Sequence, residues 1–221
     1  MSSRRSLGRK IFLFVEGDSE RGDAVRQNLP AFFHRWLDPQ LPKGKRVALQ
    51  AVKFKGISDY IKEVGTKTEI YLQQHRADVV FGIVDLYGIP RDKLDLAGYH
   101  SLQAKIEAAH NYLKNLVPKH CRDHFRQHFA VHELEAWLLA YPEMWPKKIR
   151  TQLTARRPED VNFDTPPSKW LRKQLGREFK KTVDATRILR NADPQTAMDV
   201  CPRLKRLADD LLAVAQRLAA D

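Results

Sequence analysis

Three stretches of the sequence carry acids where an apolar run stops: Val15-Glu-Gly-Asp-Ser-Glu20, Ile83-Val-Asp-Leu-Tyr-Gly-Ile-Pro90 and Val131-His-Glu-Leu-Glu135. Carboxylates at the ends of buried strands are oxygen donors on rigid supports, and several aimed at one volume repel unless a cation joins them. Such hard donors suit Mg²⁺ or Mn²⁺ and leave water positions open. Two such ions about 3.5 to 4 Å apart can activate a water and hold the leaving oxygen of a phosphodiester, while a lysine offsets charge building on the phosphoryl oxygens.

Gly17 permits a tight turn after Glu16, Asp18 or Ser19 can cap the next helix, and Glu20 falls one helical turn past Glu16. Glu16, Glu20 and Asp85 are therefore candidate metal ligands, joined by Glu133 or Glu135. On a strand those last two share a face, whereas on a helix they point roughly 200° apart, so a strand or a junction is needed for both to reach one ion. His132-Glu-Leu-Glu-Ala136 lacks the second histidine of the zinc-protease pattern, which leaves His132 as an expected hydrogen-bonding neighbour. The purely structural alternative for the Glu16 corner is a strand, a turn and an N-cap whose acids the helix dipole favours.

The elements that must position these groups follow from periodicity. Ile11 to Val15 is continuously apolar and suits a strand buried on both faces of a parallel sheet, with Glu16 at the carboxyl end, where open α/β sheets bind ligands. Val25, Leu29, Phe32, Phe33, Trp36 and Leu37 recur at helical spacing, with Pro30 predicting a kink or two short helices. Val47 to Phe54 reads as a less buried strand, and Gly56 to Gln74 as a helix that could break at Gly65. Val79 to Asp85 repeats the first design, Leu102 to Leu116 marks a helix, and Phe125 to Val131 a strand leading into a helix over 132–139. This alternation predicts an α/β fold, with a mainly parallel sheet of about four strands flanked by helices and joined by right-handed crossovers.

Beyond Pro142 the strand signals stop. Residues 1–141 are expected to form the α/β core, and 142–221 a helical extension packed on it in one compact unit. From Pro202, Leu204, Leu207, Leu211, Val214 and Leu218 lie along one stripe, which predicts an amphipathic helix with proline at its first position.

The 221 residues are 43% hydrophobic and 30% charged, and no apolar run approaches the roughly 20 residues of a membrane span. Cys121 and Cys201 are too few for a disulfide framework or a cysteine zinc site, and the start lacks a signal peptide's apolar region, so a cytoplasmic location is expected. Thirty-nine basic against 27 acidic residues leave a net charge of +12, which favours nucleic acid as partner.

Together with Ala136-Trp-Leu-Leu139, Pro167-Ser-Lys169 and Cys201-Pro202, the three acidic stretches resemble, in order, a bacterial family known as domain of unknown function 4276. The resemblance covers about residues 10 to 212, and the set is specific in combination. That family is similar to a branch of the Toprim superfamily close to the nuclease halves of overcoming-lysogenization-defect (OLD) proteins. This implies a Toprim-like α/β fold, divalent-metal chemistry on nucleic acid and a place in bacterial antiviral defence. It also implies an ATPase partner supplied in trans, since no GxxxxGK(S/T) phosphate loop occurs here. Residue by residue, the Toprim glutamate falls on Glu16, the additional OLD-type glutamate on Glu20, the Asp-x-Asp motif on Asp85 to Tyr87 and the late OLD-type lysine on Lys169. Tyr87 stands where the second aspartate generally sits, although Asp-x-Tyr-Gly is the family's usual form; Glu133, Glu135, Asp92 or Asp95 could supply a replacement carboxylate.

Glu16, Asp85 and Lys169 are thus the expected catalytic groups of a nuclease that uses Mg²⁺ or Mn²⁺. Arg91, Lys93, Arg172, Lys173, Arg177, Lys180 and Lys181 could track a phosphate backbone, or form solvated helix faces. Trp137, Trp145 and Trp170 are expected in core or interface packing rather than stacked on bases. Two other readings use the same residues: a noncatalytic nucleic-acid-binding or assembly subunit with a decayed site, and a metal phosphohydrolase acting on nucleotides.

Overall fold

The structure is a computed structural model that describes residues 9–16, 23–153, 158–160, 166–176 and 181–220. Strands β1 (Arg9–Glu16), β2 (Val47–Phe54), β3 (Val79–Asp85) and β4 (Phe125–Ala130) form one all-parallel sheet in the order β2-β1-β3-β4. The α/β architecture read from the strand and helix alternation is the one observed.

Side chains of the two central strands alternate between two apolar layers. Ile11, Leu13, Val15, Val79, Phe81 and Ile83 enter one layer, and Phe12, Phe14, Val80 and Val84 the other. Burial on both faces is what makes these runs continuously apolar. Helix α1 (Asp23–Leu37) packs into the first layer, and α2 (Ile57–Gln73) and α3 (Leu102–Leu116) into the second. The chain leaving β1 therefore turns to one face and the chain leaving β3 to the other, so the carboxyl ends of β1 and β3 flank the switch point of the sheet.

Two local alternatives are decided. Of a kink or two short helices at Pro30, the second does not occur, because α1 runs through Pro30 as one helix. Leu29, Phe32, Phe33 and Leu37 are buried against the sheet, and at roughly 1.5–3 kcal/mol each they outweigh the approximately 3 kcal/mol of an interior proline. Helix α2 does not break at Gly65 either. There a Cβ would collide with the carbonyl oxygen of Leu116 and lie 3.6 Å from Pro118 Cδ, so the glycine lets α2 pass close to the end of α3. Gly65→Ala is expected to destabilise the protein by about 1–3 kcal/mol, through overpacking against backbone, in urea titrations. A wild-type midpoint would show that the helices can part at no cost.

The buried Tyr60 hydroxyl donates to Gln127 Oε1 at 2.6 Å, tying α2 to β4 across Gly82. Burial pushes the Tyr60 phenol well up, with the charge of Glu16 adding to the effect.

The expected helix over 132–139 contracts to the single turn α4 (Glu135–Leu138), because Glu133 is drawn off to another element while Ala136 to Leu139 bury. After it come α5 (Lys147–Leu153), α6 (Pro167–Leu175), α7 (Lys181–Asn191), α8 (Pro194–Val200) and α9 (Pro202–Ala220). Their apolar faces join the layer that already holds α1, and α9 touches both β4 and β2. Trp137, Trp145 and Trp170 are all buried, as the packing reading expected. Trp145 donates its indole N–H to the Leu138 carbonyl at 3.1 Å. Among the described residues no helix is long and apolar enough to cross a membrane.

Candidate functional site

Glu16 ends β1 and Asp85 ends β3, and the parallel pairing of Val15 with Ile83 brings these strand ends side by side. The Asp85 backbone N–H donates a long, 3.4 Å hydrogen bond to Glu16 Oε2. Gly88, in the 3₁₀ turn Leu86–Gly88 that follows β3, closes over them. A Cβ at Gly88 would sit 3.5 Å from Asp85 Cβ and 3.6 and 3.8 Å from the two Glu16 oxygens. A glycine here keeps a methyl-sized volume open beside both acids. Glu16 and Asp85, far apart in sequence, are therefore brought together at the switch point.

The loop after β4 joins this rim through aromatic contact. Tyr87 stacks on His132, with ring centroids 5.3 Å apart and planes inclined by 19°, and Lys105 Nζ lies 5.5 Å from the Tyr87 centroid. Tyr87 remains 48% exposed, so the residue standing in place of a second aspartate is an accessible aromatic at the mouth of the site. Next to His132, Glu133 accepts from the Ser168 backbone N–H at 2.7 Å and from Ser168 Oγ at 2.9 Å. Because Pro167 begins α6 and has no N–H, Ser168 offers the first free amide, and Glu133 caps the helix from 35 positions away. The exposed Lys169 follows directly on the residue that Glu133 holds.

The other expected ligands are placed differently. Glu20 lies outside the described residues, and Glu135 is buried at 4% exposure on α4. Asp95 accepts from the Ala97 N–H at 2.9 Å and Asp92 pairs with Lys93 at 3.3 Å, so both have local partners in the β3–α3 connection. Among the described residues no group of three or more His, Cys, Asp or Glu side chains is gathered in a way that could hold a metal ion. Glu16 and Asp85 are hard oxygen donors on neighbouring strand ends, and that donor chemistry suits a divalent cation taking further oxygen ligands from water or substrate. Arg91, Lys93, Arg172 and Lys173 are exposed, while Arg177, Lys180 and the Lys181 side chain lie outside the described set.

Reading the sequence missed Glu159. It is 3% exposed and accepts from Trp137 Nε1 at 2.9 Å, the Arg203 N–H at 2.7 Å and the Leu204 N–H at 3.0 Å. The proline opening α9 was a signal that its next two amides need an acceptor, but nothing local says which residue supplies it.

Fold and site together define an α/β protein with Glu16 and Asp85 at neighbouring strand ends, at the switch point of a four-stranded parallel sheet. The chain belongs to the family described as domain of unknown function (DUF4276), whose model matches residues 15–212 and so takes in all three acidic stretches, α6 and most of α9. No curated protein and no solved structure matches the chain.

Proposed function

We propose that this protein is a divalent-metal-dependent nuclease that hydrolyses phosphodiester bonds of DNA or RNA, with Glu16 and Asp85 holding Mg²⁺ or Mn²⁺. The observation that carries the reading is the placing of Glu16 and Asp85 at neighbouring strand ends at the switch point, with the Asp85 N–H on Glu16 and a methyl-sized volume beside Gly88, in a chain of net charge +12. When bound, the metal supplies Lewis acidity and a water made nucleophilic at neutral pH. The chain's own groups do the rest. Glu16 and Asp85 present fixed hard oxygens, and Glu133 holds the α6 start that carries Lys169. Lys169 offsets the negative charge that grows on the phosphoryl oxygens. The exposed Arg91, Lys93, Arg172 and Lys173 engage backbone phosphates, and Glu20 is the natural third acid. The Toprim and OLD resemblance extends the proposal to a bacterial antiviral role beside an ATPase supplied in trans.

Labelled single- and double-stranded DNA and RNA, incubated with Mg²⁺ or Mn²⁺ and with a chelator, test the chemistry. Cleavage that needs the metal and disappears in Glu16→Ala, with the circular dichroism spectrum unchanged, is the expected result. Cleavage persisting in both Glu16→Ala and Asp85→Ala defeats the mechanism.

One observation favours a second reading, a noncatalytic nucleic-acid-binding or assembly subunit: Tyr87 occupies the second carboxylate position and is committed to a stack on His132. That reading expects salt-sensitive nucleic-acid binding indifferent to Mg²⁺ and no Mn²⁺ retained by the protein.

A further inference from the structure

The groove between α3 and α9, along the outer edge of β4, carries chemistry that the carboxylate pair does not use. It encloses about 440 Å³, within the range of small-ligand sites. Its acids are already engaged: Asp210 accepts from His128 Nε2 at 2.9 Å with Arg126 Nε at 4.0 Å, and Glu107 accepts from Gln103 Nε2 at 2.7 Å. Its donors are not. The guanidinium groups of Arg203 and Arg206, the His110 ring and the Asn111 amide line the groove, with no hydrogen-bond or ion-pair partner among the described residues. Arg126 adds a third guanidinium, held in place by Nη1 bonds to the carbonyls of Asp123 at 3.0 Å and Phe125 at 3.1 Å.

We propose that this groove is a phosphate-binding site, with Arg203 and Arg206 as its charged arms, the half-buried His110 as its inner donor and the exposed Asn111 as a donor at its edge. A tetrahedral dianion offers enough acceptor oxygens to engage two guanidinium forks and a ring N–H together. The paired acids leave the net local charge positive. The phosphate can be a free or small-molecule phosphate or one unit of a nucleic-acid backbone, since the recognition chemistry is shared. Neither Glu16 nor Asp85 lines the groove, and the proposal does not rest on the nuclease reading.

His110 reports on occupancy. Burial lowers its pKa, and the charges of Lys114, His128 and Arg206 lower it further. The groups facing it are Glu107 and Lys114 on α3, Arg126 and His128 on β4, and Arg203, Arg206 and Asp210 on α9. An anion seated among these cations raises the titration midpoint of His110.

The test follows the His110 ring protons by NMR across pH in the full chain, assigned with His110→Gln, in the presence of inorganic phosphate, a short single-stranded oligonucleotide, or acetate at matched ionic strength. The expected midpoint rises by about half a pH unit or more with a phosphate source. Phosphate affinity weakens at least about tenfold in Arg203→Ala/Arg206→Ala, whose thermal midpoint stays near wild type. A rise with inorganic phosphate identifies the small-phosphate source, and a rise with the oligonucleotide alone identifies the backbone. No rise with either, an equal rise with acetate, or an undiminished rise in the double variant overturns the proposal.

Discussion

Asp85→Asn is expected to lower metal-dependent cleavage by at least about 10²-fold while leaving the fold intact. The Glu16 oxygens and Asp85 Cβ lie within 4 Å of a single point beside Gly88, so the two side chains leave their strands next to one another. Asparagine keeps the shape, and the backbone N–H that Glu16 accepts is unchanged, so the substitution opens no hole. It removes an anionic ligand, and loss even of a group supporting a ligand usually costs about 10- to 100-fold. Differential scanning with a chelator and with Mn²⁺ separates metal binding from folding. Wild type should gain stability from Mn²⁺ by mass action, and Asp85→Asn should gain little. An equal gain in the variant would mean that Asp85 does not hold the cation.

Glu159→Ala is expected to cost about 3–5 kcal/mol, because it strands the Trp137 indole N–H and the first two amides of α9, all of them buried or half-buried. For a chain of this size that is a fall in thermal midpoint of about 10 °C. Burial raises the Glu159 pKa, outweighing its N–H donors and the nearby Arg203 charge. A raised folded value means that the native state holds the proton more tightly than the unfolded chain. The stabilisation is then complete below the unfolded glutamate pKa, near about 4.3, and is lost as pH rises through the folded value. Glu159→Gln keeps the size but does not titrate. The stability difference between wild type and Glu159→Gln should therefore shrink as pH increases, in urea melts taken across that window. A difference that grows with pH would show that the ionised carboxylate is the stabilising form.

Much of the frame was legible because it depends on short-range pattern. Ile11 to Val15 and Val79 to Val84 must be buried on both faces to be apolar throughout, and that requirement implies a parallel sheet with helices on each side. Glu16 and Asp85 were recognisable as strand-end acids for the same reason. Where local rules left alternatives open, distant packing decided between them. Pro30 stays helical because four neighbours are buried, and Gly65 marks a close helix approach rather than a break.

By itself, then, the sequence determined which segments are strands and helices and which acids end the central strands, since periodicity and burial demand act between near neighbours. Only the tertiary structure decided that β1 and β3 lie side by side so that Glu16 and Asp85 meet, that Glu133 caps α6, and that Glu159 caps α9 from 44 positions away. Those pairings are choices among many chemically equivalent carboxylates, and what selects one is the three-dimensional path of the chain, which brings a particular oxygen within reach of a particular N–H.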